Sequence, residues 1–216
     1  MPNWCENSLT ISGPKDSVSS FVKKAEGREH KYAGPFSYNL SRDSGELEPI
    51  WEGFLQIQME VLMKGSEDTL GETSLLSFHS LLPIPKEVLF SPYDSHVFEK
   101  MAKKYPEWFS KYPDLKSGYE WENSAWGVKW GATGIERDGL WKDRDLWVVK
   151  YHFSTAWNPP TLFQSVSEDF PDLLFSLEWK EPGQGFSGYK RYRGGLIVEE
   201  SEWEWDEEES SDMEDE

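Results

Sequence analysis

Trp147-Val148-Val149-Lys150-Tyr151-His152-Phe153-Ser154-Thr155-Ala156-Trp157-Asn158-Pro159-Pro160-Thr161-Leu162-Phe163 is the stretch on which the fold turns. Trp147, Val149, Tyr151 and Phe153 alternate with Val148, Lys150 and His152, which predicts a strand with one apolar face. Asn158 before Pro159-Pro160 reads as the cap of a helix that carries Leu162, Phe163, Val166 and Phe170 and halts before Pro171. Leu173, Phe175, Leu177 and Trp179 then resume a period of two, so a second strand follows.

The same alternation opens the chain. Leu9 and Ile11 interleave with Ser8, Thr10 and Ser12, and Ser12-Gly13-Pro14 starts a helix whose stripe is Val18, Phe21, Val22 and Ala25. Gly27 suits its stop. Residues 28–50 are polar and rich in turn formers, and residues 54–63 fit a strand or a helix equally. Leu75 to Leu82 reads as a buried strand closed by Pro83-Ile84-Pro85. A helix follows over about 95–104, with Val97, Met101 and Tyr105 on one face, and Pro106 ends it. A shorter aromatic piece surrounds Trp108 and Tyr112. The Glu181-Pro182-Gly183 and Gly194-Gly195 turns mark a closing meander of strands over 186–192 and 196–200. This order predicts an α+β fold of ferredoxin-like type: an antiparallel sheet with helices packed on one face, a helical insertion and a C-terminal hairpin. The expected organisation is one domain over 1–198, with insertions at about 28–72 and 86–125, followed by an acidic disordered tail over 199–216.

At 216 residues the chain suffices for one large core, and 15% aromatic content offsets a low hydrophobic share of 37%. No apolar run is long enough to span a bilayer, and the start lacks a secretory pattern. The single cysteine, Cys5, fits a reducing cytoplasm. The net charge of −18 is unevenly placed: residues 199–216 hold 12 acidic side chains and no Lys or Arg, leaving 28 acidic against 22 basic in the rest.

Several separated motifs resemble the YubB-type ferredoxin-like family of small proteins from bacteria, plasmids and phages. They are Pro2-Asn3-Trp4-Cys5-Glu6-Asn7 with Leu9-Thr10-Ile11-Ser12-Gly13, then Phe78-His79-Ser80-Leu81-Leu82-Pro83-Ile84-Pro85. Trp126-Gly127-Val128-Lys129-Trp130-Gly131-Ala132 follows, then Phe153-Ser154-Thr155-Ala156-Trp157-Asn158-Pro159-Pro160. Glu181-Pro182-Gly183 with Phe186-Ser187-Gly188 fits as well, so the resemblance runs in order over roughly residues 2–192. It implies a ferredoxin-like fold and a mobile-element origin, and it supplies no catalytic residues. The family pattern differs at two places, where Ala125 and Val128 stand in this chain for an asparagine and a threonine.

Direct signatures of chemistry are missing. The four histidines, His30, His79, His96 and His152, show no ligand spacing, so no metal site is expected. His79 and His152 fall on predicted strands and are candidates to meet in space. Cys5 reads as a buried, inert thiol. There is no phosphate-cradling glycine loop, nucleophile elbow or other cofactor signature, and no catalytic residue is assigned. Glycines at 183, 185 and 188 lie between strands and read as a hairpin.

The tryptophans carry the binding expectation. If 126–132 is a strand, Trp126 and Trp130 share a face, with Lys129 between them. With Asn3, Trp4, His152, Trp157 and Asn158 they form a candidate aromatic platform for a base, sugar or peptide; the plainer reading is a core or edge cluster. Only Lys190-Arg191-Tyr192-Arg193 is densely basic, which argues against direct nucleic-acid binding. Extended, the tail places a negative charge roughly every 5 Å. Its Glu202-Trp203-Glu204-Trp205-Asp206 run suits competition for the basic groove of a host protein. The plainer reading is a solubilising tail. The expectation is thus a non-enzymatic interaction protein. The alternative is a small hydrolase or nucleotide-modifying enzyme with a pocket between Trp4, Trp126, Trp157 and His152.

Overall fold

The computed structural model describes residues 3–30, 32, 70–89, 91–104 and 106–204, and the architecture is that of these residues. The expectations for residues 54–63, Tyr105, Trp205 and Asp206 fall outside them.

Strand β1 (Trp4–Gly13) is the centre of the molecule. Cys5, Asn7, Leu9 and Ile11 are buried on one face, while Ser8, Thr10 and Ser12 are half-buried on the other. Strand β6 (Leu146–Ala156) pairs antiparallel on one side of it and β7 (Leu174–Glu181) on the other. Both run against β1 and are therefore parallel to each other. Helix α7 (Phe163–Asp169) connects them, so β6–α7–β7 is a crossover unit with β1 inserted between its strands. Strands β4 (Thr133–Arg137) and β5 (Trp141–Asp143) flank β6, and β8 (Phe186–Arg193) and β9 (Leu196–Glu204) extend the sheet beyond β7. Every pairing is antiparallel.

The inner face is covered by helices. Helix α1 (Lys15–Ala25) lays Val18, Phe21 and Ala25 onto it, and α7 lays Phe163 and Val166. Phe21 meets Tyr151, Phe170 and Phe175 edge-on with centroids 5.4–6.2 Å apart. Phe21, Tyr151 and Phe175 are fully buried, and each such ring contributes about 1.5–3 kcal/mol through lost hydration alone. At Gly13 the chain passes so close to the β7 entry that a Cβ would sit 2.6 Å from Leu173 Cδ2 and 2.9 Å from the Asp172 carbonyl. The residue must be glycine there. The molecule has the α+β ferredoxin-like architecture, antiparallel with a C-terminal hairpin.

Several local expectations are corrected. Residues 75–82 are not a strand: β3 (Leu70–Ser74) ends first, and helix α2 (Phe78–Leu81) follows. Ser77 caps that helix by accepting from the Ser80 N–H, a local bond that outweighs the strand-like composition. The start of the predicted 28–72 insertion is also strand, since β2 (Gly27–His30) pairs with β3 in a separate ribbon. Helices α3 (Lys86–Leu89), α4 (Ser95–Lys104), α5 (Pro106–Phe109) and α6 (Gly118–Ala125) fill the segment that follows. Asn158 does not cap α7. Its N–H donates to Ala156 and its carbonyl accepts from Thr155, and the helix begins at Phe163 with Leu162 at its cap.

The acidic tail does not start at Glu199, because β9 continues through Glu199, Glu200, Glu202, Trp203 and Glu204. Glu199 lies opposite Arg191 and Glu200 opposite Lys190 across the ladder, and both form ion pairs there. Opposite charges on facing strands favour pairing where like charges alone would oppose it.

Candidate functional site

The three tryptophan segments converge at one end of the central sheet. The Trp157 N–H donates to the Asn3 carbonyl (2.9 Å) just before β1, and the Thr161 N–H donates to the Trp126 carbonyl (2.8 Å). The 126–131 segment is not a strand, contrary to expectation. It is a loop with Gly127, Trp130 and Gly131 at φ of 79°, 72° and 76°. Left-handed backbone at a tryptophan costs on the order of 1–2 kcal/mol. Trp157, at φ 74°, is held the same way. These strained residues bracket Lys129, whose Nζ lies 3.9 Å from the Trp130 ring centroid and 5.8 Å from that of Trp157. The ammonium thus faces two indoles, a favourable cation–π arrangement, and partial burial holds its pKa below the usual lysine range.

Trp126 and Trp130 therefore do not share a face. Trp126 is fully buried, its Nε1–H donating to the Leu82 carbonyl at 3.0 Å, and it packs against Phe78, Trp121 and His30. Lys129, Trp130, Trp157, Asn158, Asn3 and Trp4 remain at the rim, with Trp4 and Trp157 exposed. His152 is elsewhere. It points to the outer face of the sheet, opposite Ser8 and Glu136, with Nε2 3.8 Å from Asp138 Oδ2. The enzyme pocket expected between Trp4, Trp126, Trp157 and His152 is not assembled, because Trp126 lies in the core and His152 on the opposite face. Nor does His79 meet His152: its neighbour is His30, with ring centroids 5.8 Å apart.

Beneath the rim is a group that the sequence left unmarked. Glu122, on α6, is fully buried. Its Oε1 accepts from Tyr32 Oη (2.9 Å) and from His30 Nε2 (3.0 Å). Its Oε2 accepts from Tyr93 Oη (2.8 Å) and from the Trp130 N–H (2.9 Å). Four donors occupy the acceptor sites of one carboxyl group. Burial, followed by the Glu122 charge, pushes the Tyr32 phenol far above its usual pKa. His79 is held below the usual histidine range by burial and by neighbouring His30, and its Nδ1 accepts from the Ile84 N–H. The arrangement ties the β2 ribbon, the α6 helix and the Trp130 loop together, so the rim rests on it. A usable signal was present at Ser117-x-x-Glu120, a capping box that starts α6 and sets Glu122 one turn before Trp126.

A second buried polar row runs under the same sheet end. The Asn7 amide donates to the Cys5 carbonyl and to Thr155 Oγ1, which in turn donates to the Asn158 carbonyl. Cys5 is buried, and desolvation, then Glu181 and Glu6, push its thiol up to about 12. Its stabilising contribution is whole below the ordinary thiol pKa of 9.0 and is lost as pH climbs from there toward 12, because only the unfolded chain releases the proton. A disulfide-exchange reagent at about pH 8 should leave the native thiol untouched and modify it fully in denaturant; rapid native labelling would contradict this placement. Among the described residues no three His, Cys, Asp or Glu side chains gather as metal ligands.

The sheet that carries this site can be set beside known proteins. Residues 138–216 match the family model of a ferredoxin-like domain in Api92-like protein. The matched stretch includes β5 to β9 but not β1, so the ferredoxin-like domain takes its central strand from the distant N-terminal segment. A crystal structure of the protein api92 from Yersinia pseudotuberculosis is similar at a TM-score of 0.48 and 15% identity, over 94% of this chain and 98% of that one. No curated protein matches the chain. Among the described residues no helix is long and apolar enough to cross a membrane.

Proposed function

We propose that this protein is a non-enzymatic interaction protein that engages a basic host protein through its acidic C-terminal segment. The mobile-element setting comes from the sequence resemblance, and the single cysteine favours the cytoplasm as the place of action. One observation carries the reading: β9 is exposed along its whole length, and two of its carboxylates have no cationic partner among the described residues. Glu199 is held by Arg191 and Tyr189, and Glu200 by Lys190 at 3.2 Å. Glu202 and Glu204 instead face Gly188 and Phe186, with no cationic partner among the described residues. Such a surface attracts cationic partners at long range, in a manner weakened by salt. The Lys129-Trp130-Trp157 rim gives no comparable handle for a nucleobase, because Lys129 already occupies the indole faces.

The test is capture of basic proteins from host lysate in low and high salt, comparing the natural chain with the Glu202→Lys/Glu204→Lys double variant. A basic partner should be retained by the natural chain in low salt and released in high salt, and the variant should fail to retain it. Equal capture by both chains, or capture by neither, removes the proposal.

A further inference from the structure

The two edges of the large sheet are built differently. On one side β4 has five residues with a register irregularity, and β5 has three. Short and irregular strands are the usual protection of an edge. On the other side β9 is nine residues long, and no described strand pairs with its outer edge. Its register irregularity is confined to the start, beside Tyr192, after which Glu199 to Glu204 pair regularly with Arg191 to Phe186.

The side chains of this regular stretch sort by the pleat. Glu200, Glu202 and Glu204 share the face of Lys190 and Gly188, while Glu199, Ser201 and Trp203 share the other. Glu202 and Glu204 are therefore about 7 Å apart along the strand and on one face. Trp203, half-exposed, lies between them on the reverse face and tilts onto Tyr189 with centroids 6.3 Å apart.

Building on the reading of β9 as the partner-binding element, we propose that its outer edge accepts an extended cationic segment as an added strand. That segment carries Lys or Arg at alternate positions, facing Glu202 and Glu204, with the intervening residue against Trp203. Main-chain hydrogen bonds to the free edge supply affinity, and the alternating charges select the occupant and fix its register. A second copy of this chain is a poor occupant, because strand pairing would set these glutamates against their own kind.

Strand addition has a signature that charge attraction lacks. In an added strand, alternate N–H groups point at the edge and the others point away. The probe is a nine-residue peptide of alternating Lys and Thr, matched to the length of β9, with two further versions N-methylated at every Lys or at every Thr. Binding to the full chain is followed by calorimetry. The unmethylated peptide should bind, one methylated version should bind like it, and the other should lose roughly tenfold or more. The Glu202→Lys/Glu204→Lys variant should lose affinity for all three. Equal binding of all three peptides would leave the charge-based reading standing and sink strand addition. No binding of the parent peptide, or unchanged binding by the variant, would sink both. Sedimentation of the natural chain as a dimer that the variant abolishes would assign the edge to a second copy and also overturn the inference.

Discussion

Glu122→Ala is expected to lower unfolding stability by about 3–5 kcal/mol, because it leaves several buried donors without their common acceptor. The carboxyl group is fully buried and serves as the common acceptor for Tyr32, His30, Tyr93 and the Trp130 amide. Without it, four donors that converge from separate segments face an apolar cavity, and each unsatisfied buried group costs on the order of 1–3 kcal/mol. The total falls below the sum because the tyrosines are only partly buried and can turn toward water. Glu122→Gln keeps the volume but presents an amide NH2 to two donors, so it should recover part of the loss. Urea unfolding at unchanged slope reads both values as shifts in midpoint. A shift below about 0.5 kcal/mol for the alanine variant, the range of an ordinary surface substitution, would mean the four contacts do not hold the β2 ribbon and the Trp130 loop.

The sequence reveals the sheet far better than the site, for physical reasons. β1, β6 and β7 each bury mainly one face, so Leu9 and Ile11, Tyr151 and Phe153, and Phe175 and Leu177 leave a period-two trace. Helix α4 at Ser95–Lys104 is equally legible from its spacing and from Pro106. Leu75 to Leu82 misleads because a short apolar run has no period of its own, and the Ser77 cap decides the outcome. The 126–131 loop misleads for a different reason. Trp130 takes a left-handed conformation that its residue type disfavours, and the Glu122 carboxyl that anchors its N–H is not visible from the loop itself. In a chain with 40 acidic residues, nothing about Glu122 announces burial. Its partners at 30, 32, 93 and 130 become a group only after the chain folds.

Trp126→Ala should cost about 3–5 kcal/mol, the range for removing a large ring from a packed core, whereas Trp4→Ala and Trp157→Ala should each stay within about 1 kcal/mol. The three tryptophans look alike in sequence, but they stand in different physical situations. Trp126 has no exposed surface, donates to Leu82 and meets Phe78, Trp121 and His30 with centroids 5.2–5.8 Å apart. Trp4 and Trp157 are 43% and 37% exposed, so removing their rings gives up only part of the burial that Trp126 has. Trp157→Gly sharpens the contrast, since glycine tolerates φ of 74° and relieves about 1–2 kcal/mol of backbone strain while deleting the ring. That variant should be at least as stable as Trp157→Ala. Thermal unfolding of the four variants checks the split. Similar losses at Trp4, Trp126 and Trp157 would mean that the rim is core. A loss confined to Trp126 means that the fold is held by the buried indole and not by the exposed one at Trp157.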